Sequence, residues 1–101
     1  MSIVASVLLP PPPVFTVGTP GGIPLSLLGV AVQAQVASGD ARLVLDLRQA
    51  GWIDRRAVGT LLYGLALCGE AGGSLALRLT NDQRAALASY PPLLLAEEPY
   101  A

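Results

Sequence analysis

Residues 42–47, Arg-Leu-Val-Leu-Asp-Leu, constrain this chain more than any other stretch. Side chains in a strand alternate between faces, so a run that is aliphatic on both needs cover on both, as in the centre of a parallel sheet. Parallel neighbours are joined by crossovers and not by tight turns, which requires helices on either side. The flanking sequence supplies them. Before the run, Pro24 suits a first helical turn and Gly39 the position just past a helix end, with Leu25, Leu28, Val32 and Val36 at helical spacing between them. Leu27, Val30, Ala31 and Ala34 spread apolar character around the rest of that helix, so it is either unusually well covered or meets another chain. After the run, Val58, Leu61, Leu62 and Leu65 form a second apolar stripe that predicts a helix packed on the sheet, with Tyr63 and Leu67 at its rim.

The remaining elements follow the same alternation. Residues 3–9 predict a short first strand and Pro10 to Pro13 a stiff connector. Residues 14–17 predict a further strand, closed by the Gly18-Thr19-Pro20-Gly21-Gly22 turn. Gly72 and Gly73 end the second helix, residues 74–79 form the next strand, and Thr80 to Gln83 has the spacing of a capping box opening a short helix over 81–89. Residues 93–95 are expected as a last edge strand. The resulting expectation is one α/β domain over residues 1–101, a mixed, largely parallel sheet of four to five strands with about three helices. Residues 1–13 are its first strand and connector, and residues 93–101 its terminal strand or tail.

Composition narrows the function. Charged residues make up 13% and the net charge is −1, which gives no electrostatic footprint for nucleic acid or an anionic membrane. Histidine is absent, removing the side chain most used for acid–base work near neutral pH. Cys68 therefore has no base to activate it and reads as a small buried residue. Asp46 and Asp54 are too few to ligate a metal, and the glycine pairs match no dinucleotide or phosphate loop, so no cofactor, metal or catalytic residue is expected. The apolar start has no basic flank or cleavage site and no stretch is long enough to span a bilayer, so the expected location is the cytoplasm.

Chemistry of interest gathers at the corner between the aliphatic strand and the second helix. Asp54 is expected as an N-cap. Arg55 and Arg56 follow in the first turn, where cations oppose the helix dipole. Either Asp54, Asp46 and loop carbonyls compensate them, or they grip an anion or an acidic partner.

The pattern Leu-Val-Leu-Asp-Leu, then Trp-Ile-Asp-x-x-Ala-Val-Gly-Thr-Leu-Leu, then Glu-Ala-Gly-Gly-Ser-Leu-Ala-Leu, over residues 43 to about 87, resembles the STAS domain found in anti-sigma-factor antagonists. The resemblance implies a STAS-like fold and a non-enzymatic regulator that docks an anti-sigma factor or kinase-like protein. Asp54, Arg55, Arg56, Ala57, Val58, Thr60 and Tyr63 would form its partner- or anion-binding site. In kinase-switched members of the family a serine or threonine occupies the positions of Arg55 and Arg56, and a glycine that of Ala57. A phosphoserine switch is therefore not expected, and Thr60 is a poor substitute. The family's final helix looks shortened, which makes a homodimer a second expected assembly. An anion- or nucleotide-binding STAS domain, and the soluble STAS subunit of a lipid-transport ABC assembly, are the alternatives.

Overall fold

A computed structural model of the chain describes residues 10–18 and 21–98. Its sheet has three parallel strands in sequential order, β1 (Val14–Thr16), β2 (Arg42–Asp46) and β3 (Ser74–Arg78). Phe15 lies beside Leu45 and Leu45 beside Leu77, so the aliphatic run is the central strand. A 3-10 turn, Leu25–Leu27, leads into α1 (Leu28–Ala37), which connects β1 to β2. Helix α2 (Arg55–Glu70) connects β2 to β3, and α3 (Asn81–Ala86) runs on into a second 3-10 turn, Leu87–Ser89. A short α4 (Pro91–Leu95) completes the elements.

The two crossover helices lie together on one face. Leu43, Leu45, Leu75 and Leu77 alternate onto that face and are all buried. Gly64 of α2 sits where β3 and α1 converge, since a Cβ there would be 3.3 Å from Leu75 Cδ1 and 3.4 Å from Val32 Cγ1. Ala57, Leu61 and Cys68 continue the same buried side of α2. The apolar stripe expected on this helix is thus rotated slightly, with Leu62 and Leu65 only partly buried. On the opposite face of the sheet, Val44 is buried, while Asp46 and Arg78 are bonded to Arg48 and Glu98.

Three expectations need correction. Among the described residues the sheet has three strands and is wholly parallel rather than mixed; a further strand expected over 3–9 lies outside them. Residues 93–95 belong to α4 and form no strand. Pro91 and Pro92 have the φ of a first helical turn and need no donor there, and the helix that they start drives Leu93 into the core at 0% exposure. A strand-like pairing does follow, three residues later. Leu77 N–H donates to the Ala96 carbonyl at 2.9 Å and Glu98 N–H to the Leu77 carbonyl at 2.7 Å, which occupies part of the β3 edge. The expected count of about three helices likewise becomes four among the described residues.

Candidate functional site

The corner between β2 and α2 is held from three directions. From the sheet, Leu47 is fully buried and its carbonyl accepts the Ala50 N–H at 2.9 Å, which turns the chain. From α3, the buried Gln83 donates its amide to the carbonyls of Leu47 at 2.6 Å and Gly51 at 2.9 Å. Its oxygen accepts the Thr80 N–H at 3.0 Å, and the Thr80 hydroxyl accepts the Gln83 N–H at 3.1 Å. The capping box is present as expected, but the two bonds across to the corner loop were not foreseen. From the β1 side, Gly18 has φ +115° and an added Cβ would come within 2.4 Å of the Gln49 carbonyl oxygen, so backbone meets backbone there.

Ile53 is buried and ends the loop, and Asp54 caps α2 by accepting the Ala57 N–H at 2.8 Å. The first helical turn therefore leaves with Arg55 and Arg56 exposed to solvent. Neither is compensated by Asp46. That carboxylate is bonded to Arg48 at 2.7 Å, and this hydrogen bond, ahead of the cost of burial, holds its pKa below the ordinary aspartate value. Arg42, Arg78 and Arg84 are likewise paired, with Asp40, Glu98 and Glu97. Four of the chain's six arginines thus have acidic partners, and among the described residues the two at the corner have none.

Of the other expected site residues, Ala57 and Val58 point inward at 4% and 5% exposure and belong to the core. Thr60 is half-buried, with its hydroxyl turned back to the Arg56 carbonyl at 3.2 Å. Tyr63 is exposed one turn further along, and its hydroxyl accepts from Gln33 Nε2 of α1 at 2.9 Å. The accessible set is therefore Asp54, Arg55, Arg56, Thr60 and Tyr63.

Clefts flank the head of α2. One of about 290 Å³ lies between the corner and α3, lined by Arg48, Trp52, Ile53, Thr80 and Gln83. Another of about 300 Å³ lies on the α1 side, lined by Leu25, Ser26, Asp54, Arg56 and Thr60. Trp52 stands at 77% exposure beside the first. Burial pushes the Cys68 thiol up, away from the thiolate that nucleophilic chemistry needs. Among the described residues no group of three potential ligands is placed to hold a metal, and no helix is long and apolar enough to cross a membrane.

No protein-family model, curated protein or solved structure matches this chain.

Proposed function

We propose that the chain is a non-enzymatic regulatory module of STAS type that acts in the cytoplasm and docks an anti-sigma factor or kinase-like protein through the head of α2. The observation that carries this reading is the exposed Arg55–Arg56 pair, which has no acidic partner among the described residues, on a corner fixed by Gln83, Gly18 and Asp54. Two exposed guanidinium forks side by side suit an acidic surface, and a rigid support lowers the ordering cost of binding. The resemblance to STAS domains adds the choice of partner class. Arginine at both acceptor positions, and a Thr60 hydroxyl already bonded to its own helix, support a mode of regulation without phosphorylation at this corner. Affinity capture with the purified chain tests it: one protein should be retained by the wild type and lost with Arg55→Glu. Equal retention by both would remove the site.

A second reading is favoured by Trp52 beside the 290 Å³ cleft, since open α/β sheets bind small ligands beyond the carboxyl ends of their strands. A phosphate or nucleotide held there would change Trp52 fluorescence and raise the melting temperature. A flat titration with inorganic phosphate and nucleotides by both measures would dismiss it.

A further inference from the structure

Helix α2 carries its charges in the reverse of the order that suits an isolated helix. Arg55 and Arg56 occupy its first turn and Glu70 its last position, with no acidic residue in the first turn and no basic residue in the last. The helix dipole disfavours both ends. Between them, the exposed positions Arg56, Gly59, Tyr63, Ala66 and Glu70 recur at alternating intervals of three and four, which is the spacing of a helix–helix seam. The stripe is self-complementary. Arg56 lies seven residues before Tyr63 and Glu70 seven residues after it, so the pattern reads as its own charge complement when reversed.

The surface around the stripe also suits burial. Tyr63 is 46% exposed, and Gln33 fixes its hydroxyl in place. Gly59 leaves open space beside the ring, since an added Cβ would meet nothing within 4 Å. Leu27, at the end of the 3-10 turn that leads into α1, and Val30 of α1 are exposed at 51% and 62%, and residues 21–39 contain no charge. An apolar face of this kind, closed at its two ends by opposite charges, marks a protein interface.

We propose that the outer face of α1 and α2 is the interface of a two-fold homodimer. The two α2 helices cross antiparallel at Tyr63, and Arg56 of each protomer pairs with the partner's Glu70. Two such pairs, separated by ~21 Å along the helix, close the ends and set the register. The exposed apolar residues of α1 flank the seam. A two-fold axis requires residue i to meet residue j and j to meet i, and Arg56 and Glu70 around Tyr63 satisfy that condition.

Sedimentation equilibrium of the full chain tests the interface. The wild type should form a dimer in a concentration-dependent manner. Arg56→Glu and Glu70→Arg should each weaken it at least tenfold, and the double variant should recover association to within about threefold of wild type. Both single substitutions suit the helix dipole better than the native residues do, so circular dichroism should show folding intact. A monomer at every concentration up to about 1 mM, a dimer indifferent to either reversal, or a double variant that stays monomeric would overturn the proposal. So would association only with a different protein. Arg55 lies off the seam, so loss of the regulatory partner with Arg55→Glu and loss of the dimer with Glu70→Arg are read independently.

Discussion

Gln83 couples α3 to a loop more than thirty residues earlier, and the corner depends on it. It is the one buried polar or charged side chain among the described residues, and every polar atom of its amide is used. Replacing it with leucine would leave the Gly51 carbonyl and the Thr80 N–H without these partners, while the Leu47 carbonyl would keep only the Ala50 N–H. We expect Gln83→Leu to cost about 2 kcal/mol, at the low end for two orphaned groups because water can reach part of the loop. Denaturant unfolding measures this, and the variant should also loosen Trp52, seen as a changed emission maximum in the native state. Asp54→Ala should cost about 1 kcal/mol, the usual value of an N-cap. At this scale the sequence was legible where a residue acts locally. The Asp54 cap and the Thr80–Gln83 box are spaced three residues apart and follow from helix-end chemistry. The pairs Arg78–Glu98 and Arg84–Glu97 span 20 and 13 residues, and their existence, which singles out Arg55 and Arg56, depends on tertiary placement.

At the scale of elements, packing depends on small residues where layers meet. Gly64 lies within van der Waals reach of both Leu75 and Val32, so Gly64→Val should overfill the junction of α1, α2 and β3 and cost about 2 kcal/mol. Leu61→Ala on the same buried side should cost about 3 kcal/mol through the cavity it opens. Chemical denaturation of the two variants checks both values. The aliphatic run over 42–47 was readable as a central strand because burial on both sides leaves a distinctive composition. The Leu93-Leu94-Leu95 run was not readable, because three leucines carry no periodicity and suit a short buried helix as well as an edge strand. What decides between them is Pro91-Pro92, which favours a helix start, together with the space that receives Leu93. Edge pairing then passes to Ala96 and Glu98, whose composition gives no strand signal.

For the molecule as a whole, the pairing of arginines with Asp40, Asp46, Glu97 and Glu98 predicts how stability depends on pH. Each of these carboxyls has its pKa lowered, chiefly by the hydrogen bond from its arginine. A lowered pKa in the folded state means that the unfolded chain takes up protons first. The stabilisation is therefore complete above the ordinary values of 4.5 and 3.8 and is lost as pH falls through and below them. With no histidine in the chain, melting temperature should stay level between about pH 5 and 8 and fall on further acidification. Thermal melts across that range measure it.

The docking site proposed at the head of α2 rests on a fixed corner and on two arginines that have no acidic partner among the described residues. The affinity of the captured partner for three versions of the chain tests that claim most directly: wild type, Arg55→Glu, and Ser38→Glu as an exposed control just past the C-terminal end of α1. Arg55→Glu should lose at least tenfold in affinity, equivalent to about 1.4 kcal/mol, with the control unchanged and wild-type affinity falling as salt rises. Equal affinity for all three, with no dependence on salt, would contradict it.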